Sequence, residues 1–425
     1  MHSLALIKLK LRTIKKLAKT DRTFRYLKDV RFHLIPNLLV LILILFTITI
    51  VYSCKTSKSE LLENIPIAEN IHEASLLKLS DYAVNIEYII LETTEDILLT
   101  GNERIAVSPD YFILFSEECL IFDRKGKFVQ KIGNKGRGPG EYVNAYGSYL
   151  YPGNQLIYFP YTAYESILVF SQENRLVGEC NQSKHRGGDL RSINNELFVK
   201  YRHFQQGDSE WNILVFNCNG DSISCIKNNY KYDGISRFGY IDECEFYYYN
   251  NELHLKEAYS DTIFKFNNDG QHIPKYTLNL DKYTVPPTIR EDFEVFRNTF
   301  TRDFFAVRGL YETDSYLIFK YFHNREESIM IYNKRTNELE NFISKEYFRG
   351  IENDFDGGPY FFPDFNDNDL FIQIINSYKL KEYVASETFK DSTPRHLEKK
   401  KELEELAASL DESDNPVLML IQLKQ

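Results

Sequence analysis

Basic residues are scarce in most of this chain. Of its 51 Lys and Arg, ten fall within residues 1–53, where only Asp21 and Asp29 oppose them. The remainder carries 41 basic and 59 acidic residues, a net charge of about −18 against −10 for the whole 425-residue chain. A body of that sign repels a phosphate backbone and lacks a clustered basic face, which excludes nucleic acid as a partner. Catalytic signatures are missing as well. No GxSxG elbow, HExxH pair or spaced Cys and His arrangement occurs. No metal or cofactor motif occurs either, so no metal and no cofactor are expected.

Cysteine is sparse, at six residues. Apart from Cys54 they are Cys119, Cys180, Cys218, Cys225 and Cys244. An odd number cannot all pair internally, and their spacing fits no metal site. They read as small buried hydrophobes, with no pairing assigned. Methionine and tryptophan are rarer still, at three and one, whereas Tyr and Phe number 30 and 31. That aromatic content favours pleated, half-buried surfaces.

The aromatics are periodic. LIFDRKGK from Leu120, LVFSQENR from Leu168, LVFNCNGD from Leu214, IFKFNNDG from Ile263 and MIYNKRTN from Met330 share one form. In each, an aromatic closes a strand-like run and a polar turn follows. Phe122, Phe170, Phe216, Phe266 and Tyr332 stand 48, 46, 50 and 66 residues apart. A unit recurring every 40 to 50 residues is the mark of a β-propeller blade. Six strand-like segments open on Tyr111, Asn154, Asn195, Asn251, Asp314 and Asn368, and each is expected to begin a blade. The fold class is therefore all-β, a six-bladed propeller over residues 65–425.

Two helical segments interrupt it. Residues 287–307 place Phe293, Phe296, Phe300 and Phe304 at steps of three and four, which predicts a short amphipathic helix, covering one face or acting as a lid on the channel. Residues 394–410 are rich in helix formers and predict a second helix. The sixth blade is expected to run from about Asp369 through YKLKEYV before that helix. A closing strand is expected at 415–424, paired with Asn85 to Glu92 or completing the sixth blade, so that no edge stays open.

The N-terminus reads as an address. LLVLILILFTITIVY, from Leu38 to Tyr52, is an uncharged run of the length of a signal-peptide core and follows a basic stretch. VYSC, from Val51 to Cys54, resembles a bacterial lipobox, which assigns Cys54 as the lipidated residue. Residues 1–53 are then a basic region plus signal peptide, or an uncleaved signal anchor, and 54–64 a tether. The 37 residues before the run are long for such a leader, so either synthesis starts later, at Val30 or Leu38, or the positive segment stays cytoplasmic. Both versions place the acidic body in the cell envelope, facing the periplasm or the cell surface. Lys55 and Lys58, preceding Glu60, depart from the acidic pattern of surface-exported lipoproteins.

Three segments join the lipobox in a family resemblance: IGNKGRGPGEY at Ile132 to Tyr142, YSDTIFKF at Tyr259 to Phe266, and NDFDGGPYFFP at Asn353 to Pro363. With DNPVLMLIQLK at Asp414 to Lys424 they make the chain from about residue 51 resemble the six-bladed propeller lipoproteins of Bacteroides and relatives, which are similar in form to NHL-repeat propellers. The resemblance implies a lipid-anchored propeller and brings no activity. The glycine-rich segment lacks the Ser or Thr and the helix of a phosphate cradle and reads as a turn linking two blades. Asp354 and Asp356 lack the further ligands of a calcium loop and read as turn caps.

Chemistry-bearing residues are scattered on loops and blade openings. His203, His254, Glu257 and Arg325 are the candidates for catalysis, and Arg137, Arg202 and His323 for ligand binding. An exported propeller presents loops from every blade, so the leading expectation is a binding or interaction module whose partner is an envelope protein or a glycan. The alternatives are a carbohydrate- or lactone-active hydrolase or lyase at the channel mouth, and a membrane-anchored sensor. Convergence of Glu257, His254, His203 and Arg325 on the axis favours the enzyme, and dispersal favours binding. The lipid assignment predicts an intact mass, for protein extracted from its native cells, of residues 54 onward plus acyl chains. A mass retaining residues 1–53 without lipid returns the signal anchor.

Overall fold

The computed structural model describes residues 62–182, 188–203, 207–236, 238, 243–343 and 350–424. The leader, Cys54 and most of the tether lie outside the described residues, as does Gln425. Within Glu63–Gln425 the strands form six sheets of four, one of them with a fifth strand added. Blade 1 holds Arg104–Val107, Tyr111–Phe115, Cys119–Asp123 and Phe128–Ile132. Blade 2 holds Tyr149–Tyr151, Leu156–Phe159, Ser166–Phe170 and Leu176–Asn181, and blade 3 Asp189–Ser192, Leu197–Tyr201, Trp211–Asn217 and Ser222–Lys227. Blade 4 holds Cys244–Tyr249, Glu252–Glu257, Thr262–Phe266 and His272–Leu278, and blade 5 Ala306–Glu312, Tyr316–His323, Glu326–Asn333 and Leu339–Phe342.

The repeated turn has a physical cause in these hairpins. Each marker aromatic is the last or next-to-last residue of the third strand of its blade and is buried, from 0% exposed at Phe122 to 5% at Phe170. The residue after it, Asp123, Ser171, Asn217, Asn267 or Asn333, accepts backbone N–H bonds from the turn. Asn217 Oδ1 takes those of Asn219 and Asp221 at 3.0 and 2.9 Å, and Asn267 Oδ1 those of Asp269 and Gln271 at 3.1 and 2.9 Å. Four residues past the aromatic the backbone turns left-handed, at Gly126, Asn174, Gly220 and Gly270 with φ of 84°, 61°, 80° and 77°. Glycine and asparagine tolerate that region, so the motif is a turn requirement written into sequence.

The segments read as blade openings are the second strands. The true first strands are shorter in every blade but the fourth, where the two are equal, and their alternation is broken by polar residues such as Arg104, Asp189, Arg191 and Arg308, which weakened the strand signal. Blade 6 explains why five turns serve six blades. Its order is Ala83–Ile90, Val417–Leu423, Leu370–Ile375 and Phe365–Asp367. The outer strand comes from the other end of the chain, with Ile86 opposite Ile421 and Tyr88 opposite Met419. Both expected placements of the closing strand therefore describe one sheet.

Helices flank this closure. Residues Leu397–Ser409 form the expected helix, and Ser377–Ala385 form another, so YKLKEYV is not strand. Leu380, Tyr383 and Val384 recur at helical spacing and pack with Leu403, Leu406 and Leu410 beneath blade 6. In the insertion a short 3-10 turn, Pro287–Arg290, precedes the helix Phe293–Asp303, whose N-terminus is capped by Asp292. Phe300 is buried there with Tyr232, Tyr259 and Ile289, and Phe296 and Phe304 pack against it, while Phe293 is 51% exposed. Pairing begins two residues inside the expected tether, since Glu63–Ile65 runs parallel to Tyr276–Leu278 as the fifth strand of blade 4.

Cys119 and Cys244 are buried thiols, as expected. Cys180 and Cys218 instead form a disulfide joining blades 2 and 3, and Cys225 is an exposed thiol. The spacing gave no sign of that bond because it links adjacent blades. The closing strand has a quantitative consequence. Ile421, fully buried, is expected to cost about 2–5 kcal/mol in urea unfolding on change to Ala. Val84→Ala, on the exposed side of the paired strand, is expected to stay within about 0.5 kcal/mol.

Candidate functional site

The first strands of all six blades surround one cavity of about 720 Å³. Its wall takes Arg104 from blade 1, Leu150 from blade 2, Arg191 from blade 3, Phe246 from blade 4, Arg308 from blade 5 and Phe365 from blade 6. Position therefore makes this the axial channel. Alternation along each inner strand sends one set of side chains into the blade interface and leaves the other toward the axis. In blade 3, Leu190 is buried in the core with Tyr149 and Phe198, while Asp189 and Arg191 line the cavity.

The charges on the wall are mixed and unevenly neutralised. Lys320 Nζ stands 3.6 Å from Asp364 Oδ1, donates to the Pro363 carbonyl at 3.2 Å and lies over the Phe362 ring. Burial pushes the Asp364 carboxyl above its ordinary value, against the pull of Lys320. Glu103 is consumed by its own loop, accepting from the N–H groups of Thr100 and Gly101 at 2.7 and 2.8 Å. Arg191 donates to the Leu190 carbonyl at 2.7 Å and lies 5.1 Å from the centre of the Tyr149 ring. Arg104 is exposed to the channel and closely surrounded by protein, with no hydrogen bond or ion pair among the described residues. Loss of solvent, then the charge of Arg191, lowers the affinity of its guanidinium for the proton.

His203 reaches this wall from behind. Its ring bridges Asp189 Oδ2 at 3.0 Å and Glu243 Oε2 at 2.9 Å, and Glu243 in turn accepts from Arg290 at 2.9 Å and from the Tyr259 hydroxyl at 3.1 Å. The chain of contacts thus runs from the channel to the insertion, whose own residues do not line the cavity. Burial opposes the charge on His203, but its two carboxylate partners win and raise it to about 9.

The other candidates do not join it on the axis. Glu257 is buried at the end of its strand, accepting from Asn212 and, at 3.4 Å, from Tyr230, and burial raises it to about 7. His254 is buried within blade 4, stacked on Tyr247, accepting from Lys275 Nζ at 3.1 Å and donating to the Glu252 carbonyl. Burial and Lys275 lower it to about 3, so it is a neutral packing group. Arg325 is an exposed residue of the hairpin turn after His323, and His323 is buried against Tyr283 and His72. Arg202 lies over Trp211. Arg137 is exposed in the glycine loop, whose Asn134–Lys135 and Glu141–Tyr142 pair in parallel as a link between blades 1 and 2. Asp354 and Asp356 cap backbone N–H groups at Ser80 and Gly358.

The chain matches, over residues 62–422, a domain family of unknown function, DUF4934. It belongs to that family. No curated protein matches this member. Among solved structures it is similar to a Bacteroides fragilis protein named as exported, with 16% identity, a TM-score of 0.66, and coverage of 85% of this chain and 99% of that one. A DUF4221 member from Bacteroides vulgatus is similar at 10% identity and TM-score 0.46, covering 80% and 97%. A virginiamycin B lyase from Staphylococcus aureus is similar at 11% and 0.33, covering 61% and 73%. The first shows the shared fold; the other two are too distant to carry an argument.

The His203 network makes stability of this DUF4934 member pH-dependent. A histidine raised from 6.5 to about 9 contributes stability that is present below pH 6.5 and lost as pH rises through 9. Glu257, raised from 4.5 to about 7, contributes stability that is lost between those values. Urea unfolding is expected to weaken from pH 5 to 9. Glu257→Gln should flatten the lower part of that slope and His203→Gln the upper part. Parallel profiles in all three proteins would refute the assignment.

Proposed function

We propose that this protein is an exported, lipid-anchored binding module of the cell envelope, whose ligand enters the axial channel. The observation that carries the reading is the cavity itself, walled by all six blades and holding charged side chains whose mutual pairing is incomplete. A volume of about 720 Å³ sits within the range of small-ligand sites, and its mix of Arg, Asp, Asn and aromatic edges suits a polar ligand of a few sugar rings. The lipobox-like VYSC and the name of the Bacteroides fragilis relative support export. No helix among the described residues is long and apolar enough to cross a membrane. Lipid on Cys54 is the proposed anchor. His254, Glu257 and Arg325 stand apart from the cavity wall, so the set named for catalysis does not assemble there.

The full chain in detergent, titrated calorimetrically against defined neutral and acidic oligosaccharides, tests the channel. At least one is expected to bind, and Asn102→Trp, which fills the rim at an exposed position, should weaken it at least tenfold, or about 1.4 kcal/mol. A panel without binding, or binding indifferent to the rim, overturns the reading.

A further inference from the structure

Resting on the channel as the binding site, we propose that Arg104 and Arg191 form a subsite for an oxyanion carried on the ligand, a sugar carboxylate or a sulfate ester. They come from blades 1 and 3, two different sheets, and both line the same cavity. Two cations held together there repel each other. Folding tolerates such an arrangement at a cost, which an anion between them removes. Glu245 and Asp189, on the same wall, draw on the charge of Arg104 through space, but neither arginine is paired directly with an acid among the described residues. Arg104 has no hydrogen bond or ion pair among the described residues, and Arg191 makes one bond, to a neutral carbonyl, with its plane against Tyr149. Asp189, two residues before Arg191, directs Oδ2 to His203, and Glu103, next to Arg104, is taken up by its own loop.

A donor completes the group. Ser148 lines the same cavity, is 3% exposed, and its hydroxyl is buried without a hydrogen-bond partner among the described residues. A buried hydroxyl is normally satisfied, so this orphan, one residue from the Tyr149 ring that Arg191 lies over, is a donor left for a ligand oxygen. Guanidinium presents paired N–H donors that match the two oxygens of a carboxylate or sulfate, and does so most strongly where water is excluded. Elsewhere on the wall, Asp364 stands 3.6 Å from Lys320, and Arg124 of the blade 1 hairpin, which does not line the cavity, acts on Asp367 through space.

Titration of the full chain with sodium glucuronate, glucose 6-sulfate and glucose, at constant ionic strength, tests this without the natural ligand. At least one acidic sugar is expected to bind at least tenfold more tightly than glucose. Arg104→Gln should remove that preference with its melting temperature unchanged or higher, because Arg104 has no hydrogen bond to lose and its repulsion of Arg191 goes with it, and Arg137→Gln, away from the cavity, should keep it. Glucuronate binding alone assigns a carboxylate site, and glucose 6-sulfate binding alone a sulfate site. Absence of binding by both acids, equal binding of glucose, or an unaltered preference in Arg104→Gln overturns the inference. Equal binding of glucose that Asn102→Trp abolishes would leave the channel as the site and remove only the oxyanion.

Discussion

Everything in this molecule depends on the pairing of Ala83–Ile90 with Val417–Leu423. Without that antiparallel pair, blade 6 would lose its outer strand and the propeller would keep an open edge in place of a closed ring. The pairing is secured on both faces. Met419, Ile421 and Leu423 pack toward blade 5 and the helices, while Leu418 and Leu420 pack toward blade 1. Asn415 adds a polar lock, donating to the carbonyls of Glu92 and Ile97 and accepting from Leu99 N–H. Because closure joins residues more than 300 apart, it commits the ends of the described fold to one cooperative unit.

The channel inherits its shape from that ring. Between blades the contacts are apolar and continuous, as where Val199, Tyr201 and Ile213 of blade 3 meet Leu253 and Leu255 of blade 4. Such packing fixes the radial position of each inner strand to within the tolerance of a close-packed core. Charged side chains can then be held facing one another across the axis, since the cost is met by interfaces that lie behind them.

How much of this the sequence disclosed follows from physical periodicity. The third strands and their turns were legible because the same backbone demand, an acceptor after a buried aromatic and a left-handed residue four places on, recurs at Phe122, Phe216 and Phe266. The closing strand was legible from its unbroken apolar run. The first strands were not, because residues such as Arg104 and Arg191 answer to the channel and to no repeated local rule. Those residues are the ones that line the channel, so the reading of candidate residues leaned on histidines, and His254 and His323 prove to be packing groups. The helix at Ser377–Ala385 was misread because Tyr378, Leu380 and Val384 also satisfy an alternating pattern over so short a span.

A body carrying about −18 beyond residue 53 might be thought a poor place for an anion. Distance decides otherwise. Surface charges are screened over about 8 Å at physiological ionic strength, whereas groups within the channel face one another across low-dielectric walls, where screening is weaker. The acidic exterior sets the slow approach of a negatively charged ligand, and the guanidinium groups of Arg104 and Arg191 set its residence once inside. That division suits a protein that must discriminate by contact instead of collecting every anion near it. The long-range field opposes polyanions in bulk, and only a chain end narrow enough to enter the channel meets cations at hydrogen-bonding range.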